Sequence, residues 1–303
     1  MSLALTLPCD TCDAPCAAVC APHHASGHPG TAPGALMRLA QGGPHPLLGS
    51  CTNCGACERR CPHAVAVRAG IRPTLTPDDH DHLLTEWRQQ LPWRTRTLVW
   101  AGCGSHGVQF DAARFTRALL HHGVQDVVVS TPLPCGGDTT QPDSALAALV
   151  GGLHVGVREI VVPTGACRAA MTALLSASGL RGRTVAVLDQ WLARFGVSVP
   201  PQSRRFACCR LRRDARDADV ASSDVWPPGP TCCGAGEPLR SAAPDVSNAT
   251  AAALFERWRE AGLHRVHVED ASCAAHLRAV GSQHGHRIHI VTRLDAFLAA
   301  ADR

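Results

Sequence analysis

The sequence contains no lysine; all 29 of its basic residues are arginine. That absence excludes a Walker A phosphate-binding lysine, a pyridoxal Schiff base and any catalytic lysine. No stretch approaches 18 uninterrupted apolar residues, so no membrane-spanning helix is expected. Residues 2–7 run straight into the first cysteines without the pattern of a secretory signal, and the expected location is cytoplasmic. No C-x-x-C-H haem attachment occurs, and no nucleophile elbow starts a Ser/His/Asp constellation. The net charge of +4 is no sign of nucleic acid. The densest basic patch, Arg204, Arg205, Arg210, Arg212, Arg213 and Arg216, is interrupted by Asp214, Asp217 and Asp219 and has no aromatic platform. It reads as a solvated face.

What the chain does have is 16 cysteines in 303 residues. Cys51, Cys54, Cys57 and Cys61, followed at once by Pro62, spell C-x2-C-x2-C-x3-C-P, the spacing of a bacterial four-iron run. Three thiolates of such a run hold one cluster, and the fourth serves the other cluster of a pair. A second run is therefore expected, and Cys9, Cys12, Cys16 and Cys20 supply it with one extra residue in the spacing. Cross-ligation assigns Cys9, Cys12, Cys16 and Cys61 to one [4Fe-4S] cluster and Cys51, Cys54, Cys57 and Cys20 to the other. Structural zinc is the rival reading for both runs, although zinc sites use paired knuckles more often than four cysteines in one run. In a reducing compartment such cysteines are metal ligands more often than disulfides.

Residues 1–72 read as this cluster-binding unit, with a Gly/Pro/His connector after Cys20 and a short helix over 35–41. After a linker, short apolar runs alternate with amphipathic stretches. Strands are expected over 97–101, 124–129, 159–162 and 184–188, and helices over 111–122, 143–155 and 168–178. In the first of these helices Phe115, Ala118, Leu119 and His122 share a face. The fold class is α/β: parallel sheets covered by helices.

The region is also duplicated. Residues 158–171 align with 264–277 at an offset of 106, and the same offset carries Cys103 onto Cys209 and Asp189 onto Asp295. Between the outer cysteines of each copy lies a Cys-Gly step, Cys135-Gly136 in one and Cys232-Cys233-Gly234 in the other. The units expected are 1–72, 95–198 and 203–303.

A strand-end Cys, a Cys-Cys-Gly turn and a later Cys, occurring twice, resemble the duplicated cysteine-rich CCG domain. That domain is found in heterodisulfide reductase B-type subunits and in iron–sulfur subunits of lactate-utilisation, glycolate oxidase and anaerobic glycerol-3-phosphate dehydrogenase systems. The resemblance covers about 275 residues and implies an α-helical two-cluster ferredoxin module followed by two α/β repeats. It further implies an electron-transfer subunit, a component of an oxidoreductase, that relays electrons between a flavin-containing dehydrogenase and an acceptor. No flavin or substrate site is visible in this chain itself.

The chain departs from that family's C…CC…CxxC pattern. The first repeat offers only Cys103, Cys135 and Cys167, with Pro134 and Ala170 at the other two places. The second offers Cys209, Cys232, Cys233 and Cys273, with Cys208 as a spare and His276 where the last cysteine would stand. Four soft ligands close a site for a third cluster or for tetrahedral zinc, and His276 is able to join through a ring nitrogen. Buried, inert cysteines are the rival reading for both repeats. Two other functions stay open: a thiol-disulfide reductase with its active cluster among Cys208, Cys209, Cys232, Cys233 and Cys273, and an iron–sulfur sensor or docking scaffold. Gly102-Cys-Gly-Ser-His-Gly107 matches a dinucleotide fingerprint, but no acid ends the next strand and the repeat already accounts for Cys103.

Overall fold

The structure, a computed structural model, describes residues 9, 12–43, 45–52, 55–67, 71, 95–101, 111–130, 150, 153, 156–209 and 232–302. It is a mixed helix-and-strand α/β fold with two parallel sheets. The chain divides into two compact units, neither continuous in sequence: Met1–Leu75, Arg204–Val266 and His276–Ile290 form one, and Thr76–Ser203, His267–Ala275 and Val291–Arg303 the other. No helix among the described residues is long and apolar enough to cross a membrane.

In the first unit the N-terminal residues form α1 (Ala21–Ser26), α2 (Pro33–Gln41) and α3 (Ala56–Arg60), joined by 3-10 turns at Ala17–Val19, Pro29–Thr31 and Pro46–Ser50. Pro33 at the first helical position suits α2, because its missing N–H would have no partner there. Cys16, Leu36, Met37, Leu48, Cys57, Val67 and Ile71 make the small core of this segment.

In the second unit β1 (Thr97–Val99), β2 (Val127–Val129), β3 (Glu159–Val162) and β4 (Thr184–Val187) form a parallel sheet in the order β2-β1-β3-β4. Leu98 lies opposite Val128 on one side and Ile160 on the other. Side chains alternate between the faces. Leu98, Trp100, Ile160 and Val162 pack with Met171 and Leu174, whereas Val99, Val161 and Ala186 pack with Phe115, Trp191 and Phe297. The helices that cover them are α4 (Ala112–His121), α5 (Gly165–Ala177) and α6 (Leu188–Ala193). Asp111 caps α4 by accepting the Arg114 N–H at 2.8 Å, and Thr164 caps α5 by accepting the Cys167 N–H at 3.1 Å. His122 stacks on Phe297 at a ring separation of 4.4 Å, which completes the apolar face of α4. The helix expected over 143–155 lies largely outside the described residues.

The second repeat supplies β5 (Arg204–Phe206), α7 (Glu237–Ala242), α8 (Pro244–Glu260), β6 (Arg265–Val268), α9 (Ala271–Gln283), β7 (His289–Val291) and α10 (Arg293–Ala301), with the second sheet ordered β5-β6-β7. β6 follows β3, and α9 follows α5, by the 106-residue offset read from the sequence. In the first unit α8 packs against α1, and α7 against the Pro46–Ser50 turn. In the second, buried Asp189 accepts from the Arg293 backbone at 3.1 Å and pairs with its guanidinium, and His267 Nε2 lies 3.0 Å from the same carboxylate.

Phe297 is fully buried against Phe115 and His122. Its replacement by alanine is expected to cost about 3–5 kcal/mol, read as a lower urea midpoint for the unit that contains it.

Candidate metal centre

Cysteines gather around Cys16 in the N-terminal segment, and further cysteines are buried in the second repeat. Cys16 is buried in the small N-terminal core. That burial pushes its thiol above the ordinary value; a backbone hydrogen bond opposes the shift, and the thiols of Cys61, Cys9 and Cys12 add to it. Cys16 thus feels the same three cysteines that cross-ligation would join to it. The Val65 N–H points at Cys61 Sγ at 3.4 Å, the sort of contact that stabilises a thiolate and tunes a bound metal. These are soft donors in a partly buried setting, which fits an iron–sulfur group.

The second run starts where the Pro46–Ser50 turn ends. Cys51 is half-buried, Thr52 is buried, and α3 carries Cys57 into the core beside Leu36 and Leu48. Cys20, the fourth member of that expected set, is half-buried at the start of α1. Cys54 lies outside the described residues, as do Cys103, Cys135 and the Gly102–Gly107 segment.

In the second repeat Cys208, Cys209, Cys232, Cys233 and Cys273 are all buried. One set of metal-binding donors stands out among the described residues. Sγ of Cys273 and a carboxylate oxygen of Asp270, both in the second unit, lie within 4.8 Å of each other, after β6 and in the first turn of α9. Thiolates bind zinc at about 2.3 Å and carboxylates at about 2.0–2.2 Å, so this pair could give two donors to one metal ion. Cysteine spacing does not point to Asp270. The signal was present, because the repeat aligns Asp270 with Thr164, and both are helix-capping residue types directly before a helix.

Asp270 has a structural role whether or not metal is bound. Its Oδ1 accepts from the Ser272 N–H at 3.0 Å, the Ser272 hydroxyl at 2.6 Å and the Cys273 N–H at 3.1 Å. Its Oδ2 accepts from the Gly165 N–H at 2.8 Å, while the Ala271 N–H reaches Pro163 O at 3.5 Å. The two repeats therefore exchange hydrogen bonds where α5 and α9 begin. A carboxylate suits the positive ends of two helices. In the first repeat the Thr164 hydroxyl lies 3.1 Å from Cys167 Sγ.

The Cys232-Cys233-Gly234 turn is held from both ends. Gly234 has φ +83°, and a Cβ there would fall 2.5 Å from Ser247 O, so no other residue fits. Its N–H faces Cys232 Sγ at 3.4 Å, and its carbonyl accepts from the Ser247 hydroxyl at 3.0 Å. Two residues on, a Cβ on Gly236 would lie 2.8 Å from Thr52 O and 2.9 Å from Thr52 Cα. Backbone thus meets backbone between the Cys-Cys-Gly loop and the second N-terminal cysteine run. Nε2 of His276 lies 3.2 Å from Ser247 Oγ.

No protein-family model matches the chain, and no curated protein matches it either.

Burial holds the His276 imidazole below its ordinary value; its bond to the Ser247 backbone opposes this, and the charge of Arg240 adds to it. The unfolded chain consequently binds more protons below about pH 6.5, so this contribution to stability is complete above that value and is lost as the pH falls. The urea midpoint of the parent is expected to drop between about pH 8 and about pH 5, and His276→Gln to flatten that drop.

Proposed function

We infer that the chain is an iron–sulfur electron carrier built from a two-cluster ferredoxin module and two CCG-type repeats, a redox component that works with a separate flavin-containing dehydrogenase. Cys9, Cys12, Cys16 and Cys61 would hold one four-iron cluster, and Cys51, Cys54, Cys57 and Cys20 the other. When bound, each would accept and release one electron at a time. The chain's own part is to keep thiolates grouped, exclude water around Cys16 and Cys57, and direct N–H groups such as that of Val65 at sulfur.

The observation that carries the relay reading is the contact of Gly236 with Thr52. It puts a buried cysteine pair next to the second run, the arrangement an electron path between the two requires. The second repeat is then either a terminal metal site or a docking platform for the partner. Burial of Cys232 and Cys233 favours relay over direct reduction of a disulfide, since an attacking thiolate has to reach its substrate. The dehydrogenase's substrate would be a 2-hydroxy acid or glycerol phosphate, as in the systems the chain resembles, and unbridged thiolate ligands suit the cytoplasm.

Anaerobic reconstitution followed by iron, sulfide and zinc analysis and low-temperature EPR tests this reading. The expected result is at least about eight irons and eight sulfides per chain, with EPR signals on reduction. A third cluster would raise the iron to about twelve and return it to about eight in Cys232→Ser/Cys233→Ser. Zinc in place of iron, with no EPR signal, would overturn the reading.

A further inference from the structure

His276 stands where the cysteine-rich pattern would have its last thiolate, three residues beyond Cys273 on α9. Its surroundings suit a different task. Ser247 Oγ has one proton, and the 3.0 Å contact to Gly234 O uses it. The hydroxyl is therefore an acceptor toward His276 Nε2 at 3.2 Å, and Nε2 carries the hydrogen. A second acceptor, Ser247 O, lies 3.4 Å from the same nitrogen. All three residues are buried or nearly so, with His276 6% and Ser247 1% exposed, so each bond in the chain matters more than it would in water.

We propose that His276 is a positioning residue for the Cys232–Cys233 pair: it holds the second Cys-Cys-Gly loop through Ser247 and does not serve as a metal ligand. The order of contacts is His276 Nε2–H to Ser247 Oγ, Ser247 O–H to Gly234 O, and Gly234 N–H to Cys232 Sγ. Gly234 in its left-handed conformation is pressed on the Ser247 backbone, so a shift of Ser247 moves the loop directly. The inference goes beyond the relay reading, because protein groups alone make this lock.

The test is alkylation of the full-length protein, kept anaerobic, with iodoacetamide, each cysteine being quantified by peptide mass spectrometry. Labelling of Cys232 and Cys233 is expected to rise at least about tenfold in His276→Ala, His276→Cys and Ser247→Ala as the loop opens, and to return to the parent rate in His276→Gln, whose amide N–H replaces Nε2–H. A ligand would behave in the opposite way: His276→Cys would protect the pair and His276→Gln would expose it, and that pattern overturns the proposal. Unchanged labelling in all four variants overturns it too. Cys167, buried in the other unit, reports general unfolding. If the His276 variants expose Cys167, Ser247→Ala decides, and parent-like labelling of Cys232 and Cys233 in that variant refutes the lock.

Discussion

A single close approach governs the surroundings of the second Cys-Cys-Gly loop: Gly236 meets the backbone of Thr52 with no room for a side-chain carbon. α7 starts directly after Gly236 and packs on the 3-10 turn that leads into Cys51, so the cysteine pair at 232–233 and the run beginning at Cys51 are set by one piece of structure. A core made of a few apolar side chains and several cysteines is small. Packing α8 against α1 and α7 against the Pro46–Ser50 turn gives the N-terminal segment a larger buried surface than it could make alone. The chain order of the segments therefore differs from their grouping in space.

The duplication has a physical consequence as well as a formal one. The first turns of α5 and α9 meet, with the Gly165 N–H on Asp270 and the Ala271 N–H near Pro163. Both helices present N–H groups without helical partners there, and two such ends in apposition need an acceptor. Thr164 provides for one helix within its own repeat; Asp270 provides for its own helix and the other's. The replacement of threonine by aspartate between the repeats thus brings a charge to a place where two helix dipoles favour it. It also puts a carboxylate beside Cys273.

Much of this was legible in the sequence. A short continuous apolar run gave β3 its full extent, and the repeat offset recovered both β6 and α9. Errors arose where side chains act on the backbone locally. The second strand was read from residue 124, yet Asp126 has φ +61° and its carboxylate accepts the Arg96 N–H, so pairing begins only at Val127. α5 was read from residue 168, although Thr164 caps it and it starts at Gly165. Cysteine spacing led to the expectation of soft-metal ligands in both N-terminal runs. It could not show that Asp270 lies beside Cys273, nor that His276 faces Ser247, since both depend on which way side chains turn.

The claim on which the account rests most is that the second run and the second Cys-Cys-Gly loop form one site. Low-temperature EPR of reduced, iron-loaded Gly236→Val protein beside the parent tests it most directly. An added side chain at residue 236 has to displace the Thr52 backbone, so one of two cluster signals should change its g-values or potential while the other stays as in the parent. Two signals both identical to the parent's would contradict the account.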